Sequence, residues 1–410
     1  VKLKAFVLQY YLMKTAIDFT QVPRKKTGIG IHALNLIREL SSMLPSNPNP
    51  TPSLHQIYLF TQDDDPEWKQ AANENPNIRL IPIKSRWFRF LPLRFLFEQL
   101  LLPHYCKKLG ISIIFSFHYT TPYLTKIPRI AWFPDMTFYL FPSLHRLIKR
   151  IYFKTLIPLS ARVCEMILTV SESTRNDILS RFTGINPGKI HVIHLGVTPP
   201  PPLTRDQISP LLQKFNVTPK KYFLYIGTLE PRKNITAIIE AFNHLTLNPP
   251  NSPSNTGDFK LVIAGSKGWF YQTIFETTKK YGLEKSIVFT GYIDEETKQA
   301  LLEGAFLFVY PSFYEGFGLP VLEAMSHGIP VITGNCSSLP EVAGDAAIQI
   351  DPYKWEEIAG AMRRLMENDS LYGELSEKSS KRAKEFTWSK NAEKTLDILS
   401  LVFEKTVKKK

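Results

Sequence analysis

One stretch, from Ala305 to Pro330, constrains the fold more than any other part of the chain. Ala305 to Val309 is an apolar run that reads as a buried strand. Tyr310-Pro311-Ser312-Phe313-Tyr314 then leads into the loop Glu315-Gly316-Phe317-Gly318. A helix begins near Leu319-Pro320, with proline in the first turn, where its missing N–H costs nothing. Strand, glycine loop and helix N-terminus in that order make a ready anion site. Unpaired backbone N–H groups and the positive helix end favour a phosphate. Two carboxylates bracket the loop, Glu315 before it and Glu323 inside the helix. A phosphate held by amides has no use for them, but sugar hydroxyls do. The loop therefore reads as built for a ligand that is both phosphate and sugar, a nucleotide sugar.

The rest of the chain repeats the alternation of short apolar run and helical pattern. Met13 reads as a natural start, leading at once into a first strand to Asp18, and residues 1–12 fall outside the fold. Further strands are expected at 56–61, 78–83, 111–116, 129–133, 166–170 and 189–195. A second series is expected at 222–226, 260–264, 286–290, 331–334 and 346–351, besides the run at 305–309. Helices are expected at 31–43, near 95–109, from 235, and at 355–367, 371–385 and 389–407, with Lys408 to Lys410 a frayed tail. Between the two series stands Pro199-Pro200-Pro201-Pro202, which is stiff and cannot pair in a sheet. With 410 residues, this predicts an α/β protein of two doubly wound domains joined by a linker.

Charge and cysteine usage narrow the class. Residues 1–200 hold 25 Lys+Arg against 12 Asp+Glu, so the whole net charge of +13 sits in the first half. Two segments there mix cations with aromatic and apolar residues, Arg86 to Phe95 and His145 to Lys154. They suit either an anionic membrane surface or helices that pack inward with solvated basic faces, and both readings stay open. Cys106, Cys164 and Cys336 are far apart, which argues against a disulfide framework and fits a reducing compartment. No apolar run reaches the roughly 20 residues needed to span a bilayer. The expected location is cytoplasmic, with peripheral contact at the inner membrane face left open. Asp63-Asp64-Asp65-Pro66 reads as a cap for the following helix rather than a metal site. In the second half, Arg232-Lys233 follows the strand 222–226. There two cations face the crevice where open α/β sheets bind ligands, placed to grip phosphate oxygens.

Glu315 and Glu323, eight positions apart around a glycine loop, resemble the E-x7-E motif of the retaining GT-B glycosyltransferases of family 4. Other motifs resemble that family in order: Lys26-Thr27-Gly28-Ile29-Gly30 after the first strand, Val170-Ser171 with Thr174-Arg175 and Asp177, Gly227 with Arg232-Lys233, and Asn335 to Val342. Leu261-Val262-Ile263-Ala264-Gly265 with Lys267-Gly268-Trp269 is similar to mannosyltransferase-like members. The resemblance covers Met13 to about Phe403. It implies a GT-B fold: an acceptor domain at 13–197, a linker at 198–221, a donor domain at 222–385, and a helix at 386–410 crossing back to the first domain. The implied catalytic set is Asp135, Glu315, Arg232 and Lys233. Arg232 and Lys233 would bind the pyrophosphate, Glu315 the sugar hydroxyls and Glu323 the ribose. Gly28, Gly30, Gly227, Gly265, Gly316, Phe317, Gly318 and Leu319 would approach the donor, and Phe289 is either core or a base-stacking ring. Relatives carry His-Asp after the strand at 129–133, whereas this chain has Pro134-Asp135. That histidine's role is not carried over. No cofactor and no metal are expected. The donor would be GDP-mannose or a UDP-hexose, and the acceptor a glycan or lipid-linked glycan. Nucleic acid is not an expected partner. A GT-B-fold epimerase and a non-catalytic sugar-binding scaffold are the alternatives.

Overall fold

The computed structural model describes residues 12–24, 26, 28–45, 55–63, 65–72, 75–84, 90–142, 147–199, 201–249 and 259–409. Expectations for residues 1–11, for Arg86 to Arg89, for His145-Arg146 and for most of the 45–52 and 248–257 loops lie outside them. The chain divides into two compact units, Val1–Gly196 with Thr387–Lys410, and Val197–Phe386.

The first unit is built on seven parallel strands: β1 Met13–Asp18, β2 His55–Gln62, β3 Ile78–Ile83, β4 Ile113–Ser116, β5 Arg129–Phe133, β6 Met166–Thr169 and β7 Ile190–Val192. Their order is β3-β2-β1-β4-β5-β6-β7. Strands covered on both faces should be nearly continuous in burial, and every residue of β4 and β6 is buried. The strand order reverses between β1 and β4, where Asp18 pairs in register with Ser116. The crevice beyond the strand ends there is the usual ligand position in such sheets.

Four helices of this unit matter below: α1 Ile29–Met43, α2 Leu91–Leu96, α3 Leu102–Leu109 and α4 Leu147–Val163. Between α2 and α3 the helix widens into a π turn at Phe97–Leu101, with Leu102 N–H donating to the Phe97 carbonyl. Pro103 accounts for this. It lacks an N–H, and its ring crowds the carbonyl four residues back. The wider turn buries Phe97, Glu98 and Gln99 in succession and leaves Leu100 and Leu101 exposed.

The C-terminal helix Trp388–Lys409 belongs to the first unit and packs on α1. It continues through Lys409, so the expected fray at Lys408-Lys409 is not seen. His32 fixes its position: the ring packs among Phe117, Trp132 and Trp388, and its Nε2 lies 3.1 Å from Asn391 Oδ1. Asn391 Nδ2 in turn donates to the His194 carbonyl at 2.8 Å. Burial lowers the His32 pKa to about 3, so the ring is neutral.

The second unit has six parallel strands: β8 Tyr222–Ile226, β9 Lys260–Ala264, β10 Ile287–Gly291, β11 Leu307–Tyr310, β12 Val331–Gly334 and β13 Ala347–Ile350. Their order is β10-β9-β8-β11-β12-β13, and the reversal falls between β8 and β11. β11 starts two residues later than the apolar run because Ala305 caps the preceding helix. Residues 198–221, expected as linker, are part of this unit. They hold a helix, α5 Arg205–Gln213, opened by a Thr204–Gln207 capping box, with Leu211 and Leu212 buried. Three further helices frame the site: α6 Ile235–Leu247, α7 Glu295–Gly304 and α8 Leu319–Ser326. Among the described residues, no helix is long and apolar enough to cross a membrane.

Candidate active site

The carboxyl ends of β8 and β11 carry a closed cage of charges. After β8, Pro231 opens a 3-10 turn, and Asn234 ends it in the left-handed region at φ 58°. Asparagine tolerates that conformation better than most residues. Its side chain donates to the carbonyls of Pro352 and Pro311, at 2.6 and 3.2 Å, which pins the turn. The turn delivers Arg232 and Lys233 beside the loop after β11. Lys233 Nζ lies 2.6 Å from Glu315 Oε1 and donates to the Tyr310 hydroxyl at 2.6 Å. Arg232 Nη1 lies 3.2 Å from Glu315 Oε2 and also meets the Tyr314 carbonyl. Its Nη2 and Nε both reach Glu230 Oε1, at 2.7 and 3.0 Å.

Serine side chains hold the loop. Glu315 N–H donates to Ser337 Oγ at 3.0 Å, and Ser338 Oγ shares its one proton between the Glu315 and Phe317 carbonyls at 3.0 and 2.7 Å. Gly318, at φ 111°, ends the loop and caps α8, whose first turn contains Pro320. The positive end of α8 thus opens at Gly318-Leu319.

The cage sets the charge state of Glu315. Burial alone would raise its pKa, but Lys233 and Arg232 outweigh burial and hold it at about 2. Burial draws the Lys233 ammonium below its ordinary pKa, while Glu315 works against that. Two cations and two carboxylates, Glu230 and Glu315, therefore neutralise one another. An arriving diphosphate would compete with Glu315 for both cations and release the carboxylate toward another partner.

The family described as Glycosyltransferase Family 4 matches residues 27–199, and Glycosyl transferases group 1 matches 211–386. O-antigen chain mannosyltransferase B of Escherichia coli is 32% identical over 274 residues, which span 67% of this chain and 70% of that protein. The chain belongs to the family 4 glycosyltransferases. Serotype-specific mannosyltransferase WbdA of Escherichia coli is 31% identical over 193 residues, 47% of this chain but only 23% of that longer protein. The transferase also superposes on sucrose-phosphate synthase from Thermosynechococcus elongatus with a TM-score of 0.70 at 18% identity, covering 95% of this chain and 99% of that one. This likeness shows the GT-B fold. The protein is thus an enzyme, a glycosyltransferase of GT-B architecture.

Within the second unit of the transferase, Glu315, Arg232 and Lys233 converge, with Gly316 to Leu319 following in the same loop. Glu323 lies farther along α8, where its Oε1 meets Lys298 Nζ of α7 at 2.9 Å, with Glu295 on the other side of Lys298 at 2.8 Å. Burial raises the Glu323 pKa against the pull of Lys298. Gly227 and Gly265 serve close backbone approach: a Cβ on Gly265 would overlap the Gly227 carbonyl oxygen. Phe289 is half-buried, and its ring packs on Phe275 at 4.4 Å.

The first-unit positions have local partners. Asp135 Oδ1 accepts from Thr137 N–H, Thr137 Oγ1 and the Tyr119 hydroxyl, at 2.8, 2.6 and 2.8 Å. It shapes the start of the short helix Thr137–Leu140. Gly28, at φ 34°, precedes α1, and a Cβ there would meet open space, whereas one on Gly30 would press on the Lys26 side chain. Asp65 accepts from Glu67 N–H at 3.2 Å, as a cap does, and pairs with Lys26.

Glu230, Tyr310, Ser337, Ser338 and Lys298 were not anticipated. Glu230 had a signal, a carboxylate two positions before Arg232. Ser337 and Ser338 lie in the Asn335 to Val342 stretch singled out by resemblance, but their partners could not be read locally, because their contacts cross more than 20 residues of chain.

Proposed function

We propose that this glycosyltransferase moves a mannosyl group from a nucleoside diphosphate sugar to a hydroxyl of a glycan or lipid-linked glycan, with retention at the anomeric carbon. The observation that carries this reading is the Glu315 carboxylate clasped by Arg232 and Lys233 at the β8–β11 reversal. The reaction must stabilise a departing diphosphate. Arg232 offers a fork for phosphate oxygens, Lys233 a compact charge, and the amides near Phe317, Gly318 and Leu319 the helix end. Once the diphosphate occupies the cations, Glu315 is free to accept from sugar hydroxyls. The bond from the anomeric carbon to the diphosphate oxygen breaks, and the bond to the acceptor oxygen forms on the same face. The acceptor's proton passes to the leaving phosphate. In this reading protein cations supply the positive charge, with no resident cofactor or metal.

GDP-mannose is the favoured donor, because the similar Escherichia coli proteins are mannosyltransferases. A UDP-hexose is next, since Anabaena Alr3699/HepE, similar in fold with a TM-score of 0.70 at 15% identity, was solved with UDP-glucose. An anionic membrane surface is the proposed setting. Phe90, Leu100 and Ile151 are 67%, 52% and 59% exposed, and Phe95 meets Tyr152 at 6.5 Å, so the α2–α3 segment and α4 lie side by side. Exposed rings and leucines among cations suit a headgroup layer.

The test is product analysis by NMR after incubation with GDP-mannose and octyl α-mannoside. An α-linked dimannoside is expected. A β-linked product would overturn retention, and transfer from a UDP-hexose alone would overturn the mannosyl assignment.

A further inference from the structure

The carboxylate that follows the glycine loop into α8 is held from outside its own helix. Glu323 stands one turn past Leu319, where α8 begins. A helical side chain leans toward the N-terminus, which carries this carboxylate back toward the helix mouth at Gly318-Leu319. Its Oε1 accepts from the Lys298 ammonium at 2.9 Å, whereas Oε2 has no hydrogen bond among the described residues. The side chain keeps 19% of its surface exposed. Glu315 is the opposite case, with a cation on each oxygen. Glu323 is a carboxylate with one oxygen fixed and the other open.

The fixing cation is itself fixed. Asp294 caps α7 by accepting from Thr297 N–H at 2.8 Å, and Lys298 is the next residue. Beyond it, Gln299 Nε2 donates to the Pro201 carbonyl at 2.6 Å and Glu303 accepts from Leu203 N–H at 3.1 Å. These bonds tie α7 to another segment of the same unit. The exposed Glu295 holds the Lys298 ammonium from its other side at 2.8 Å. An exposed pair like Glu295–Lys298 adds little to stability. The mostly buried Glu323 is affected more: burial pushes its carboxyl up, and Lys298 draws it down. His327, the basic group at the end of α8, lies 3.8 Å from Glu303 instead. Lys298 therefore governs both the charge and the direction of Glu323.

An open carboxylate oxygen accepts from hydroxyls and repels phosphate. In a nucleoside diphosphate the hydroxyls next to the phosphates are those of the ribose. We propose that Lys298 is a positioning residue of the transferase, holding Glu323 by one oxygen so that the other accepts from a ribose hydroxyl of the donor. This rests on the reading of the donor as a nucleoside diphosphate sugar, and it names the residue on which discrimination for ribose depends. Lys298 acts through Glu323 and touches no reacting atom.

The test is isothermal titration of GDP, UDP and their 2′,3′-dideoxy forms into the parent, Lys298→Met, Lys298→Gln and Lys298→Arg, with the melting temperature of each followed in parallel. The parent should bind GDP or UDP at least about tenfold more tightly than the dideoxy form, the worth of a hydrogen bond to a charged group. Lys298→Met and the milder Lys298→Gln should lose about that factor for the ribonucleotide and bind the dideoxy form as the parent does. Lys298→Arg, which keeps a cation, should keep the preference for ribose. An equal loss for both forms in Lys298→Met and Lys298→Gln would overturn the proposal and leave the pair as a support for α8 only. Unchanged ribonucleotide affinity in both variants would overturn it as well. A parent that binds a nucleotide keeps the donor reading whichever way these variants turn out, and a parent that binds none overturns both.

Discussion

The two sheets reverse their strand order in the same way, at β1–β4 and at β8–β11, yet the chemistry beyond those strands is opposite. At β8–β11, two cations close over Glu315 and Glu230. At β1–β4, two carboxylates gather around a histidine, a threonine and two glutamines. In the proposed reading the cationic edge takes a diphosphate, whereas the carboxylates of the other edge would repel one. The fold supplies the crevice twice, and the side chains at its lip decide what each crevice takes.

The largest expected effect breaks the cationic edge. Arg232→Ala and Lys233→Ala should each lower the rate of transfer at saturating acceptor by about 10²–10³, the usual effect of removing one donor to developing charge. Transfer at the parent's rate in either variant would erase the contrast between the edges.

A smaller effect separates the two glycine loops. Gly265→Ala places a methyl group into the Gly227 carbonyl, so backbone must move, and a loss of about 3 kcal/mol is expected in urea unfolding. Gly28→Ala enters open space and is strained only by its positive φ, with a loss of about 1 kcal/mol. Equal losses would show that the glycine in the second unit is not there for close approach.

Acid should tell the units apart as well. Glu315 is held at about 2, below the ordinary carboxylate value. Its stabilising contribution is complete above about pH 4.5 and lost as pH falls toward 2. His32 is lowered to about 3, so the unfolded chain takes up its proton first. Stability then falls from about pH 6.5 downward, through a higher window than Glu315. Unfolding followed against pH should show His32→Gln flattening the upper part of this loss and Glu315→Gln the lower. The reverse assignment would contradict the burial of both groups.

Much of the architecture was legible in the sequence because it rests on local pattern. Apolar runs marked the strands, and Ser171 caps its helix through Thr174 N–H at 3.1 Å, as the residue order implies. Arg232, Lys233 and Glu315 were legible as well, since each lies just past an apolar run. What stayed hidden depends on contacts across the chain. Glu98 sits inside the run Phe97-Glu98-Gln99-Leu100-Leu101-Leu102, and only the π turn forced by Pro103 turns it inward. The Glu323–Lys298 pair joins two helices that nothing local relates. The helix α5 was masked by the proline run before it, although Thr204 and Gln207 already spelled a capping box. The partners of Asp135, Thr137 and Tyr119, were not legible either: a short side chain after a strand finds nearby N–H groups first, but Tyr119 comes from another loop.

The central claim is that the β8–β11 edge holds a nucleoside diphosphate through Arg232 and Lys233. Isothermal titration of GDP and UDP into the parent, Arg232→Ala and Lys233→Ala tests it most directly. The account predicts that the parent binds one of them, and that each variant loses at least about tenfold in affinity. Equal affinity in parent and variants would place the diphosphate elsewhere and contradict the claim.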